Sequence, residues 1–184
     1  MSVREFLPDI GATESLGQRL ARSMPATAVV FLRGDLGAGK SSIARAMLRA
    51  LGVSGPIKSP TYSLVERYSL AQGEAVHMDL YRIAEAAELE FLGLDDLAAQ
   101  ARLWLVEWPE RGAAALPRPD IEIELTVSGA GRIAELKGLT DIGRSWLVGV
   151  SKIAASSPET LFGFQFTKDP AIPAIATTNP SPPH

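Results

Sequence analysis

The segment FLRGDLGAGKSS, residues 31–42, carries the strongest structural signal in the sequence. It places Gly34, Gly37 and Gly39 close together, directly after a short apolar run. Glycine costs backbone entropy in any ordered segment, so this cluster indicates a backbone shape that other residues adopt only with strain. Gly34 and Gly39, followed by Lys40 and Ser41, match the spacing G-x-x-x-x-G-K-[ST] of a phosphate-binding loop.

The sequence on either side of this segment supports that interpretation. The run AVVFL, residues 28–32, is apolar and rich in β-branched residues, which predicts a buried strand. After the glycines, Ile43, Met47 and Leu51 recur at helical spacing, and Gly52 predicts the end of the helix. A phosphate-binding loop requires this strand–loop–helix context. The alternative is a glycine-rich turn without a ligand, but a chance match in a chain of this length has a probability on the order of one per cent.

Each part of the motif suits a nucleotide phosphate chain. A curled glycine-rich backbone turns successive N–H groups toward phosphate oxygens, and the positive end of the following helix faces the same anions. Lys40 would place an ammonium group against the β and γ phosphates, and Ser41 would offer its hydroxyl to Mg²⁺. The predicted nucleotide-binding residues of the loop are Asp35, Leu36, Gly37, Ala38, Gly39, Lys40, Ser41 and Ser42.

Length and composition indicate one globular domain. The chain has 184 residues, of which 46% are hydrophobic and 21% charged, close to the averages for globular proteins. A net charge of -3 gives no general attraction to nucleic acids, and the lack of cysteine excludes disulfides and thiolate sites. The first residues lack the apolar core of a signal peptide, and no apolar run is long enough to span a bilayer. We therefore expect a cytoplasmic protein without membrane contact.

The rest of the chain predicts an α/β fold with a mixed parallel and antiparallel sheet. Residues 13–24 predict a helix with Thr13 as its N-cap. Further predicted elements are a hairpin of YSLVERY and EAVHMDLY, a helical segment at 84–101, a strand at 102–108, and a second hairpin of DIEIELTV and RIAELKGL. We expect one domain over residues 1–150 and a largely disordered, proline-rich extension over 151–184.

Two acidic residues stand where predicted strands end. Asp79 follows AVHM and Glu107 follows LWLV. Ligands of open α/β sheets collect at the carboxyl ends of strands, so either carboxylate could reach a magnesium ion there. The alternative for each is a solvated or capping acid, and the pattern alone does not choose between them.

Two further polar residues have weaker signals. Thr61, in KSPTY, could complete the magnesium shell or sense the γ phosphate, although a threonine in such a loop is more often only a turn residue. His77 lacks neighbouring metal-ligand residues, and on an apolar strand it is interpreted as structural.

The ordered series of motifs resembles one family. LRGDLGAGKSS, KSPTYSLVERY, HMDLYR, ELEFLGLDD, LVEWPERG and LPRPDIEIEL cover about residues 7–137. With these motifs the chain is similar to the TsaE family, the small P-loop ATPases of bacterial tRNA threonylcarbamoyladenosine (t6A) biosynthesis. The resemblance implies a P-loop NTPase-like three-layer sandwich.

The resemblance also assigns roles to single residues. It implies that the loop binds ATP and that Ser41 and Glu107 hold Mg²⁺, with Asp79 important for activity. Thr61 matches the threonine of the family's S-P-T segment, which lies near the nucleotide. The resemblance further implies a base contact from Gly11 to Thr13 and a nucleotide contact from Arg132, the arginine of the late hairpin.

The function implied by the resemblance is support of another enzyme. The family assists transfer of a threonylcarbamoyl group to the adenosine beside the anticodon by binding and resetting the transferase complex with ATP. The expected partners are the transferase subunit TsaD and its paralogue TsaB, with tRNA contacted mainly through them. The chain has Ser41 and Ser42 where the family commonly has two threonines, and either hydroxyl suits Mg²⁺. A small-molecule P-loop kinase and a nucleotide-gated binding module without essential turnover are the alternatives.

Overall fold

The computed structural model describes residues 1–112, 114–156 and 165–167. Their elements, in chain order, are β1 (Ser2–Leu7), α1 (Ile10–Arg22), β2 (Ala28–Gly34), α2 (Lys40–Ala50), β3 (Val65–Ser69), β4 (Glu74–Asp79), α3 (Leu94–Ala98), β5 (Ala101–Glu107), β6 (Ile121–Ser128), β7 (Gly131–Gly138), α4 (Asp141–Ala155) and β8 (Gln165–Thr167). Short 3₁₀ helices lie at Ala86–Leu92 and Pro109–Arg111. None of the helices in these ranges has both the length and the apolarity needed to cross a membrane.

The strands form one mixed sheet, which confirms the predicted fold class. Its order is β3-β4-β5-β2-β6-β7-β1-β8. The four central strands β4, β5, β2 and β6 run parallel to one another. The pairings outside this centre, β3 with β4 at one side and β7 with β6, β1 with β7 and β8 with β1 at the other, are antiparallel. The parallel centre places the carboxyl ends of β2, β4 and β5 at the same edge of the sheet, where ligands of such folds bind.

The core is divided by the sheet into two parts, giving three layers. On one face α1, α2 and α4 cover the sheet, through residues such as Leu16, Met47 and Leu147. On the other face a smaller core packs around Phe31 and Trp104, covered by the chain between β4 and β5. Strand β2 is therefore apolar on both faces, as the run AVVFL predicts, whereas β6 alternates between buried isoleucine or leucine and more exposed glutamate.

The hairpins and the helix after the glycines are confirmed, but the N-cap of the first helix was predicted wrongly. Helix α1 begins at Ile10, and its cap is Asp9, whose Oδ1 accepts a hydrogen bond of 2.8 Å from the N–H of Ala12. Thr13 lies inside the first turn, and its hydroxyl donates to the carbonyl oxygen of Asp9. Asp9 has the extended backbone that a cap needs, so it supplies the acceptor one turn earlier.

Three of the strands and α-helices were not predicted: β1, α4 and β8. Helix α4 buries Trp146, whose indole Nε1 donates to the carbonyl oxygen of Leu20 in α1 at 3.0 Å. It continues through residue 150 to Ala155. Two parts of the extension that was predicted to be disordered are described: the end of α4, and β8, which pairs with β1. The other residues beyond 156 lie outside the described ranges.

Gly34 allows β2 to end directly beside β6. Its φ is 126°, and an added Cβ would overlap the carbonyl oxygen of Leu125. We expect Gly34→Ala to lower the free energy of unfolding by about 2 kcal/mol, because both the backbone angle and the contact are unfavourable for alanine. Gly129→Ala is the control, since Gly129 has a φ of 59° with no atom near its Cβ position. Urea denaturation should show the larger loss for Gly34→Ala; equal losses would contradict the close approach.

Candidate active site

The loop between β2 and α2 has a backbone that glycine makes possible. Gly34, Gly37 and Gly39 have φ values of 126°, 78° and 112°, all in the region that other residues rarely adopt. Within the described ranges, the N–H groups of Gly37, Gly39, Lys40 and Ser41 have no hydrogen-bond acceptor. The last two belong to the first turn of α2, where N–H groups lack intrahelical partners and attract anions.

The Lys40 ammonium group lies under this loop. Its Nζ donates to the carbonyl oxygens of Gly34 at 2.6 Å and Asp35 at 2.8 Å. It also lies 4.1 Å from the ring centre of Trp108, a cation–π contact. Burial lowers the pKa of Lys40 below its ordinary value, although the nearby carboxylates of Glu107 and Asp79 act in the opposite direction. The lysine is thus a poorly solvated cation at the floor of the loop.

Glu107, at the end of β5, is bonded through both carboxylate oxygens. Its Oε2 accepts a hydrogen bond of 2.9 Å from the Ser41 hydroxyl. Its Oε1 lies 2.8 Å from Nε2 of His77, a residue of β4. Glu107 is 2% exposed and His77 is 0% exposed. A buried carboxylate therefore lies directly beside the hydroxyl of the phosphate-loop motif.

Asp79 holds the loop that contains Thr61. Its Oδ2 accepts a hydrogen bond of 2.7 Å from the Thr61 hydroxyl, and its Oδ1 accepts one of 3.0 Å from the N–H of Tyr81. Asp79 and Glu107 are partners in the β4–β5 register, so the two acids are neighbours at the sheet edge. The structure thus separates two acids that the sequence pattern leaves equivalent: Glu107 contacts the glycine loop and Asp79 contacts the Thr61 loop.

These groups surround one open cleft of about 310 Å³. Nine of the predicted site residues line it: Leu36, Gly37, Gly39, Lys40, Ser41, Ser42, Thr61, Asp79 and Glu107. Asp35 and Ala38 instead shape the loop, since the N–H of Ala38 donates to the carbonyl oxygen of Asp35 at 3.1 Å. The cleft is also lined by Arg45, Ser59, Tyr81 and Trp108, which were not predicted as site residues.

Thr13 and Arg132 lie beside the loop at Gly39. Arg132 Nη1 donates to the Thr13 hydroxyl at 3.0 Å, and a Cβ placed on Gly39 would lie 3.2 Å from that Nη1. The structure therefore brings β7, α1 and the glycine loop together at Gly39. Gly11 is exposed in the first turn of α1 and does not line the cleft.

His77 is the contact that sequence reasoning missed. The signal that could have found it is the spacing H-x-D, because alternate residues of a strand point to the same face. A strand that directs Asp79 toward the sheet edge directs His77 to the same side. The spacing alone did not show that Glu107, from another strand, would be the partner.

Comparisons with known proteins agree on one family. The family model described as threonylcarbamoyl adenosine biosynthesis protein TsaE matches residues 7–134. The chain is 37% identical over 149 residues to the tRNA threonylcarbamoyladenosine biosynthesis protein TsaE of Haemophilus influenzae, covering 78% of this chain and 94% of that protein. It is 40% identical over 114 residues to the protein of the same name from Synechocystis, covering 60% and 72%.

A solved structure supports the fold. The crystal structure of Bacillus subtilis YdiB matches with a TM-score of 0.70 and 21% identity, over 83% of this chain and 96% of that chain. At this identity the likeness concerns the fold alone. It agrees with the mixed sheet and with the P-loop NTPase-like arrangement of the helices.

Proposed function

The chain belongs to the TsaE family, and on this basis we propose that it is a Mg²⁺-dependent P-loop ATPase that supports threonylcarbamoylation of tRNA. The observation that carries the proposal is the meeting of three features in one cleft. These are the glycine loop with its free N–H groups, the buried cation of Lys40, and the Ser41–Glu107 pair. We place the activity in the cytoplasm.

The donors of the cleft fit the phosphates of ATP. The N–H groups of Gly37, Gly39, Lys40 and Ser41 have no acceptor in the described part of the chain, and such donors suit anionic oxygens. Lys40 adds a positive charge whose hydrogen-bond acceptors, within the described ranges, are two backbone carbonyls. Because a phosphate oxygen is a stronger acceptor than a carbonyl, the lysine gains by exchanging one for the other.

The acceptors of the cleft fit a magnesium ion. Mg²⁺ prefers oxygen ligands and is usually held by one or two carboxylates together with substrate phosphates. Ser41 and Glu107 would hold it, since their oxygens are already within 2.9 Å of each other. When bound, Mg²⁺ neutralises the charge that develops on the phosphate oxygens.

Asp79 and Thr61 would orient the attacking water. Asp79 already accepts hydrogen bonds on both oxygens, so its carboxylate has a fixed direction. Thr61 lies on the cleft and is held by that carboxylate at 2.7 Å. Its one proton goes to Asp79, so the Ser59 hydroxyl at 3.0 Å donates to Thr61, whose oxygen keeps one lone pair for a water proton. Asp79 thus acts on the water through a positioned hydroxyl and through its own charge.

The base would lie toward the N-terminus of α1. Thr13 and Arg132 lie beside the glycine loop at Gly39. The predicted contact from Gly11 to Thr13 is consistent with the start of α1 lying beside this position. Arg132 would approach the nucleotide from β7.

The relatives' names place them in tRNA threonylcarbamoyladenosine biosynthesis. We assign this chain the same pathway, with TsaD and TsaB as its partners and tRNA contacted mainly through them. Turnover of ATP would reset the complex between rounds. The net charge of -3 agrees with a subunit that leaves the tRNA backbone to its partners.

Phosphate release and tRNA modification test the proposal together. The purified chain should release phosphate from ATP slowly, faster with TsaD and TsaB, and not after Mg²⁺ is removed with EDTA. Reconstituted tRNA modification should proceed through many rounds only when this chain is present. Absence of ATP turnover with both partners would overturn the enzyme assignment. Transfer of labelled γ phosphate to an acceptor other than water would favour a kinase instead.

A further inference from the structure

The register of β4 and β5 places three polar side chains on one face of the sheet. His77 is paired with Leu105, and Asp79 is paired with Glu107. Because side chains alternate along a strand, all four residues point to the same face. His77 and Glu107 are thus diagonal neighbours, a separation that long side chains bridge. This explains how a residue two positions before Asp79 contacts Glu107.

The direction of the hydrogen bond follows from the chemistry of its two atoms. An ionised carboxylate can only accept, so Nε2 of His77 must carry the proton that lies between it and Glu107 Oε1. Ser41 donates to the other oxygen, Oε2. Each oxygen of Glu107 therefore has one donor, and the plane of the carboxylate is fixed by two points.

Packing and stability do not explain why position 77 is a histidine. The side chain is 0% exposed, and its Nδ1 has no partner among the described residues. An unpaired buried nitrogen costs about 1–3 kcal/mol, which an apolar residue at this position would avoid. The other buried positions of β4 before Asp79, on either face of the sheet, are filled by the apolar residues Ala75, Val76 and Met78. The bond to Glu107 is the feature that an apolar side chain would lose.

We propose that His77 is a positioning residue that keeps Glu107 Oε2 directed at Ser41. This inference rests on the proposed function, in which Ser41 and Glu107 hold Mg²⁺. In the free protein the Ser41 hydroxyl restrains Oε2, and both of these oxygens are the ones that would face the metal. His77 bonds the other oxygen, Oε1, and so fixes the orientation of the carboxylate from a side that the metal does not occupy. Bonds of this kind to ligating carboxylates orient metal sites generally.

The spacing H-x-D then has one physical meaning. His77 restrains Glu107, and Asp79 restrains Thr61, so one strand orients a group on each side of the cleft. The intervening Met78 faces the opposite core. A shift of one residue would turn both polar side chains into that apolar core.

Two substitutions of similar length test the proposal. His77→Gln keeps an N–H donor at the end of the side chain, whereas His77→Met has none. Calorimetry should measure ADP affinity with Mg²⁺ and with EDTA for each protein. Mg²⁺ should raise the ADP affinity of the wild type. We expect this increase to be about 10- to 100-fold smaller in His77→Met, with the ADP affinity in EDTA unchanged. His77→Gln should retain most of the gain.

The outcomes separate this inference from the proposed function. A wild-type protein whose ADP affinity does not respond to Mg²⁺ would overturn the proposed function, and this inference with it. A wild-type response that persists in full in His77→Met would overturn only the role of His77. If His77→Met lost as much ADP affinity in EDTA as in Mg²⁺, the role of His77 would also be overturned, because the substitution would then disturb the nucleotide site independently of the metal.

A measurement on the wild-type protein needs no folded variant. Nitrogen-15 NMR of the histidine side chains distinguishes a proton on Nε2 from one on Nδ1. We expect His77 to carry its proton on Nε2, with a resonance that shifts when Mg²⁺ and ADP are added together but less with ADP alone. A proton on Nδ1 alone would show that the bond to Glu107 is not donated by His77, which overturns the proposal.

Discussion

Replacing Lys40 by alanine is expected to weaken ATP binding by about 3 kcal/mol, more than 100-fold, while leaving the fold intact. Removing one partner of a buried charge pair costs about 2–5 kcal/mol in comparable complexes, largely because the remaining charge is left unpaired. In this cleft the remaining charge would be the phosphate chain. The N–H groups of the loop would still bind it, so the expected loss is large but incomplete.

The fold should tolerate this change although Lys40 is buried, because the contacts that it makes in the free protein are offset by the poor solvation of its charge. In the free protein its Nζ contacts two carbonyl oxygens and the Trp108 ring. Burial already lowers the pKa of the lysine, which shows that its charge is poorly solvated in the free protein. Removing a poorly solvated cation also removes its desolvation penalty, which offsets part of the stability lost with these contacts.

Calorimetry with ATP and Mg²⁺, together with thermal unfolding, checks this prediction. Lys152→Ala is the control, since Lys152 is an exposed lysine on α4. Its affinity should equal that of the wild type. Equal affinity in Lys40→Ala would contradict the phosphate assignment, and a collapsed fold in that variant would contradict the view that its packing is dispensable.

The sequence was most informative where local signals coincide. The glycine spacing, the apolar run before it and the helical pattern after it each require the same strand–loop–helix unit, which the structure contains. The two hairpins were predictable because each has two strand-like segments joined by a short turn. These features depend on residues close together in the chain.

The features that were missed depend on residues far apart in the chain. Strand β1 is short and pairs with β7, whose residues follow about 130 positions later, so its neighbours were not apparent from its own pattern. Helix α4 is anchored by Trp146 on Leu20, again a distant contact. In the site, Glu107 and Asp79 both end strands in register, and only the loops that they touch tell them apart.

Glu107→Gln is expected to separate nucleotide binding from turnover. The variant is nearly the same size, and its amide oxygen can still accept the hydrogen bond from His77 Nε2. This directs the amide nitrogen toward Ser41, where the wild type has an anionic oxygen. The change therefore removes a metal ligand without opening a cavity. ATP affinity without Mg²⁺ should stay near that of the wild type.

The rate of phosphate release should fall much further. Charge stabilisation by a bound metal lowers the activation free energy by several kcal/mol. Losing about 3–4 kcal/mol of this stabilisation slows the reaction roughly 100- to 1,000-fold. Glu110→Gln is the control, because Glu110 follows closely in the chain but pairs with Arg33 at 2.7 Å instead of lining the cleft. A phosphate-release assay should show near wild-type turnover for Glu110→Gln. Wild-type turnover in Glu107→Gln would contradict its role.

The same variant decides whether turnover matters to the pathway. If ATP resets the transferase complex by being hydrolysed, Glu107→Gln should support at most about one round of tRNA modification per complex and then stop. If occupancy alone changes the affinity for the partners, modification should continue through many rounds despite slow hydrolysis. Counting modified tRNA per complex over time distinguishes the two. Sustained modification by a variant that binds ATP but hydrolyses it roughly 100-fold more slowly would make the chain a nucleotide-gated module rather than a working ATPase.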